Sequence, residues 1–110
     1  MIEVECHISI KKDGVCFMNP AKTELLTAIK NSGSLNSAAK LRRISYQHAW
    51  EMINEMNQSA PEPMVIKQRG GNHGGGAAIT SFGERILNEY DLILKQINKT
   101  VDQVNVEINL

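Results

Sequence analysis

A chain of 110 residues that is 42% hydrophobic can build one domain with a modest core, which gains from tight packing or a partner subunit. Twelve Lys and Arg balance twelve Asp and Glu, which excludes binding of a polyanion by bulk attraction and leaves uneven placement of charge as the only electrostatic route to nucleic acid. Residues 20–79 do carry seven basic against four acidic side chains, while residues 80–110 carry three against five and residues 1–19 two against three.

No apolar run reaches the roughly 20 residues a membrane helix needs, and no basic segment followed by a signal-type stretch opens the chain. Cys6 and Cys16 lack a His cluster at zinc spacing and read as reduced, partly buried thiols. The expectation is a cytoplasmic protein with no metal, no cofactor and no membrane partner.

In chain order, Val4, Cys6, Ile8 and Ile10 alternate with Glu5, His7 and Ser9, the period of a half-buried strand. Asp13-Gly14 then predicts a hairpin turn before Val15-Cys16-Phe17-Met18. Asn19-Pro20 opens a helix with Leu25, Leu26, Ala28 and Ile29 as its apolar stripe, and Ser32-Gly33 stops it. Ser34 caps a second helix, Leu35 to about Arg43, whose Ala38-Ala39 face allows close approach of another helix. Ile44-Ser45 leads into a third, Tyr46 to about Asn57, with Ser45 as N-cap. Tyr46, Ala49, Trp50, Ile53 and Met56 form its inward stripe, and Gln47, His48, Glu51, Asn54 and Glu55 its polar face. Two helices joined by a tight turn match a helix-turn-helix, in which the second helix enters the major groove by its N-terminal end. A surface helix without a ligand would carry a similar polar face, and His48 reads equally as a solvated side chain or a DNA contact.

Pro61 and Pro63 break the third helix. Met64-Val65-Ile66-Lys67 predicts a strand and Ala77-Ala78-Ile79 its return, and between them Gly70-Gly71-Asn72-His73-Gly74-Gly75-Gly76 holds five glycines in seven residues, flanked by Lys67 and Arg69. This suits a wing lying on phosphates or in the minor groove, with a plain linker as the alternative. A nucleotide loop fails because no Gly-Lys-Ser/Thr follows and no parallel βαβ unit surrounds it. No Ser-His-Asp or Cys-His arrangement can be placed, so the chain is read as a non-enzyme.

Thr80 caps the last helix, from about residue 81 to 103. Phe82, Ile86, Tyr90, Ile93, Ile97, Val101, Val104 and Ile108, flanked by Leu87 and Leu94, approximate a heptad seam. That stripe is too long for so small a domain to bury, which predicts a homodimer through this helix; a stripe folded back on the N-terminal hairpin is the alternative. The alternating tail from Val104 to Leu110 allows a strand after the helix. The fold expected is α+β, mainly α: a winged helix-turn-helix over residues 1–110, with hairpin (1–18), helices (20–60), wing (64–80) and dimerisation helix (81–103).

The run Gly33-Ser34, Ala38-Ala39-Lys40, Ile44-Ser45-Tyr46, Ala49-Trp50, Ile53-Asn54-Glu55-Met56-Asn57, Gly74-Gly75-Gly76-Ala77, Thr80 and Gly83 closely resembles the N-terminal DNA-binding domain of molybdate-responsive ModE regulators, over roughly residues 20–97. LysR-type regulators share the looser Gly-Ser, Ala-Ala and Thr-x-x-Gly elements only. The resemblance implies a bacterial repressor or activator that dimerises through its first and last helices and its N-terminal strands. Members that sense molybdate carry a further oxyanion-binding domain for which residues 1–110 leave no sequence, so molybdate binding is not expected of this chain. The family often has Lys where Gln47 stands, which points to a different target sequence.

The function expected is therefore a sequence-specific DNA-binding transcriptional regulator, a homodimer on an inverted-repeat operator in double-stranded DNA. Gln47, His48 and Glu51 would read bases beside Ser45 and Tyr46 at the helix start. Ser34, Ser37, Arg42, Arg43, Lys67, Arg69, Asn72 and His73 would position the protein on phosphates. Zero net charge and the pair Glu51 and Glu55 favour the alternative, a dimeric protein-interaction module that keeps the winged fold without binding DNA.

Overall fold

The computed structural model describes residues 2–68, 76–104 and 108–110. Its elements run β1 (Ile10–Lys12), β2 (Val15–Met18), α1 (Pro20–Ser32), α2 (Leu35–Arg42), α3 (Tyr46–Ser59), β3 (Val65–Lys67), β4 (Ala77–Ile79) and α4 (Ser81–Asp102). This is the mainly helical α+β winged arrangement that the sequence pattern predicts.

Strands β1 and β2 pair antiparallel with Lys12 opposite Val15, and Asp13 (φ 52°) and Gly14 (φ 80°) fill the turn between them. Two successive positive φ values match the twist of a tight hairpin. The strand expected from Val4 to Ile10 is shorter than its pattern: only Ile10 joins the ladder, because β2 ends opposite it at Met18. Residues before it run on beside the helices. Cys6, Ile8 and Ile10 are half-buried and His7 and Ser9 exposed, so the period of two survives without a paired strand.

Helix boundaries follow local chemistry. Asn19 Oδ1 accepts the Lys22 N–H at 2.8 Å, Pro20 occupies the first turn, and Gly33 in the left-handed region (φ 67°) ends α1 by donating its N–H to the Ile29 carbonyl at 2.8 Å. Ser34 caps α2 through the Ser37 N–H at 3.2 Å, and Ser45 caps α3 through the His48 N–H at 3.0 Å. The α2–α3 junction turns at Arg43, itself left-handed (φ 58°), while the Ile44 N–H reaches back to the Ala39 carbonyl at 3.0 Å.

Met18, Leu25, Leu26, Ile29, Leu35, Ile53, Met56 and Met64 are fully buried and form the centre of the core, each worth about 1.5–3 kcal/mol by the area it withdraws from water. Ala38 and Ala39 are buried where α2 meets its neighbours, as their size allows. On α3 the buried stripe is Ala49, Met52, Ile53 and Met56. Of the residues expected inward, Trp50 packs on the core from its rim and is half-buried, while Tyr46, in the first turn, departs and is 44% exposed.

The hairpin β3–β4 pairs Val65 with Ile79, Ile66 with Ala78 and Lys67 with Ala77. Ser34 bridges Gly76, and the Ala77 N–H donates to the Gly33 carbonyl at 3.3 Å, so the α1–α2 corner serves as a third edge of the wing sheet. At its other end the hairpin is held by Asn57 of α3, whose Oδ1 accepts the Met64 N–H at 2.7 Å while its Nδ2 donates to the Val65 carbonyl at 3.1 Å. Thr80 Oγ1 accepts the Gly83 N–H at 3.0 Å and donates to the Pro63 carbonyl at 2.7 Å.

Helix α4 is 22 residues, about 33 Å at 1.5 Å per residue. Phe82, Ile86, Leu87, Tyr90 and Leu94 pack on the core, and the Tyr90 hydroxyl donates to the Ile8 carbonyl at 2.8 Å. Beyond Leu94 the helix runs into solvent with Ile97 exposed, while Leu92 and Ile93 are also open. The molecule measures 54 × 29 × 21 Å, and its radius of gyration of 16.3 Å exceeds the roughly 13 Å of a round domain of this length. No helix among the described residues is long and apolar enough to cross a membrane. The strand envisaged after α4 falls partly on residues 105–107, which lie outside the described residues.

Candidate nucleic-acid interface

The N-terminal turn of α3 stands clear of the core. Ser45, Tyr46, Gln47, His48 and Glu51 are all exposed, on a helix fixed from behind by Ala49, Met52, Ile53 and Met56. His48 Nδ1 lies 3.6 Å from Glu51 Oε2, so the pair is an ion pair only when the imidazole is protonated. The other carboxylate, Glu55, turns back from this surface: it lies 3.3 Å from the buried Lys22 ammonium, which also donates to the Cys16 carbonyl at 2.9 Å. Glu55 therefore offsets a buried cation of α1 and leaves Glu51 as the acidic group among the first residues of α3.

The phosphate-positioning candidates divide. Ser34 and Ser37 sit at the start of α2, with the Ser34 oxygen occupied as a cap and Ser37 exposed. Arg43 is exposed in the turn and, among the described residues, has no carboxylate partner. Arg42 does have one, Glu24 of α1, and a phosphate would have to compete with that carboxylate. Lys67, at the end of β3, places its ammonium 4.5 Å from the centre of the Trp50 ring. Arg69, Asn72 and His73 lie outside the described residues.

Sequence reasoning missed two features here. Tyr46 and Trp50 meet edge to face, with centroids 6.2 Å apart at 82°, and Lys67 of β3 covers the Trp50 ring, so the aromatic pair of α3 faces the β3 side. The i to i+4 spacing of these residues is the signal that could have shown it. The second feature is Asn57, whose paired contacts to Met64 and Val65 set where the wing begins; its place three residues before a proline-interrupted loop gave no such hint.

This arrangement is matched in known proteins. No protein-family model matches the chain. The transcriptional regulator ModE of Haemophilus influenzae is 39% identical over 93 residues, covering 84% of this chain and 36% of that protein. The DNA-binding transcriptional dual regulator ModE of Escherichia coli K12 is 38% identical over 101 residues, covering 92% of this chain and 38% of that protein. The chain belongs to the ModE family.

It spans little more than a third of the length of these ModE relatives, and corresponds to their N-terminal domain. Among solved structures, the CbnR DNA-binding domain in complex with DNA aligns with a TM-score of 0.58 at 16% identity, covering 74% of this chain and 88% of that one. At that identity the likeness concerns the fold, and it is the winged-helix fold that this ModE-family chain shares.

Proposed function

We propose that this chain is the DNA-binding part of a transcriptional regulator, a reader of duplex DNA with no bond-making chemistry. The observation that carries the reading is the exposed first turn of α3, backed by the buried stripe of that helix and placed beside Lys67 of β3. The names of its ModE relatives support the same reading. Gln47, His48 and Glu51 read base edges in the major groove, with Tyr46 able to offer its ring to a thymine methyl group. Arg43, Lys67 and the basic residues of the wing, Arg69 and His73, hold the phosphates, with Ser34, Ser37 and Asn72 as neutral donors. The protein acts in the cytoplasm.

A homodimer completes the reading. The exposed apolar residues Ile93 and Ile97 extend the packed stripe of α4, and a second copy would bury them. Two reading helices related by a twofold axis then address an inverted repeat with half-sites about one helical turn apart. The test is a mobility shift with fragmented genomic DNA across a salt series. If each protomer neutralises about three phosphates, affinity falls roughly a thousandfold between about 50 and 200 mM salt. A folded dimer that retains no fragment at low salt contradicts the proposal and favours a protein-interaction module.

A further inference from the structure

Trp50 is the chain's single tryptophan, and it packs against the core from the rim with part of its ring left open. The ring is half-buried at the rim of α3, braced on one side by Tyr46 and covered by the Lys67 ammonium at 4.5 Å. Lys67 is the last residue of β3, opposite Ala77 of β4, one residue before the final Gln68 N–H to Gly76 carbonyl bond of the hairpin at 2.9 Å. Cation and ring thus connect the reading helix to the base of the wing at a point the main-chain ladder does not reach.

We propose that Trp50 and Lys67 form a joint that sets the angle of the wing against α3, with Lys67 acting as a positioning residue through the ring and not simply as one more phosphate contact. The inference rests on the DNA-reading function above. An ammonium over an indole face is favoured most by the electron-rich indole among aromatic rings. Arg can make the same contact, whereas Met keeps the length of the side chain and loses the attraction.

The experiment uses a duplex enriched by the wild-type protein from a random-sequence library; failure of any duplex to enrich would sink the DNA-reading function itself and is thereby distinct from failure of the joint. With the enriched duplex, Lys67→Arg binds as wild type, while Lys67→Met and Trp50→Leu each weaken binding roughly two- to fivefold. The double variant is weakened less than the product of the two single effects. Independent, multiplicative losses overturn the proposal, as does a Trp50→Leu protein that binds like wild type.

A second readout needs neither DNA nor the Trp50 variant. In the free protein, Lys67→Met shifts Trp50 fluorescence and Lys67→Arg does not. Identical emission from all three proteins shows that the ammonium does not sit on the ring and overturns the joint.

Discussion

Gly83 makes the tightest approach of any described glycine: a Cβ built there falls on the Met64 carbonyl oxygen and 2.7 Å from Ile79 Cγ1. Both neighbours belong to the hairpin that α4 must clear, one of them main chain, so the gap cannot open without moving the wing. Gly83→Ala is expected to destabilise the fold by about 1–3 kcal/mol, read as a lower denaturation midpoint with unchanged slope. Arg43 presents the opposite case. Its left-handed backbone costs a non-glycine residue about 1 kcal/mol, so Arg43→Gly leaves stability unchanged or raises it by up to that amount. The same substitution removes a guanidinium from the proposed interface and lowers the slope of log affinity against log salt by about 1 per protomer bound. Stability and DNA affinity moving apart would mark Arg43 as kept for its charge. Tyr90 carries the pH dependence. Burial raises its phenol above the ordinary value of 10.0, an effect partly countered by a hydrogen bond with Thr23. A raised native pKa means that the neutral form is favoured on folding; its contribution is complete below about pH 10 and is lost as pH climbs through the native value. Thermal melts should therefore fall in alkaline buffer more steeply for the wild type than for Tyr90→Phe.

At the scale of elements, the wing hairpin is held by side chains at its base as well as by its own short ladder. Asn57 satisfies the Met64 N–H and the Val65 carbonyl together, and removing it strands both. Asn57→Ala is expected to cost about 1–3 kcal/mol and to speed amide exchange from Met64 to Gln68 more than in α1. The helix starts and stops were legible in the sequence because they depend on neighbours in the chain: Asn19-Pro20, Gly33-Ser34, Ser45 and Thr80 act within one turn of where they stand. The Asp13-Gly14 turn was legible for the same reason. What stayed hidden depends on residues far apart in sequence. The alternation describes burial from Cys6 to Ile10 but not at Val4, which is exposed, and whether an extended segment is paired depends on the length of β2. Likewise, helical spacing placed Tyr46 inward, but the core reaches α3 only from Ala49 onward, so Tyr46 is exposed while Ala49, Met52, Ile53 and Met56 form the buried stripe with Trp50 at its rim. Of the candidate site, the exposed face of α3 could be read from periodicity. The pairings of Arg42 with Glu24 and of Glu55 with Lys22 could not, since each joins two helices.

For the whole molecule, shape and charge make one argument. A neutral chain gains no general attraction for DNA, and its elongation comes from α4, on which Ile93 and Ile97 stay exposed. The proposed second copy would meet both needs, covering Ile93 and Ile97 and doubling the number of basic contacts in register with the duplex. Replacing both residues by Arg is expected to give a folded monomer in sedimentation, with DNA binding reduced at least tenfold, the order of magnitude by which linked sites exceed single ones. The measurement that tests the central claim most directly is selection of bound sequences from a random duplex library, followed by footprinting of the winner. The account predicts an inverted repeat protected in two major-groove segments about one helical turn apart, with the preferred bases altered by Gln47→Ala. Absence of any enriched sequence, or a preference unaffected by every substitution on the exposed face of α3, would contradict it.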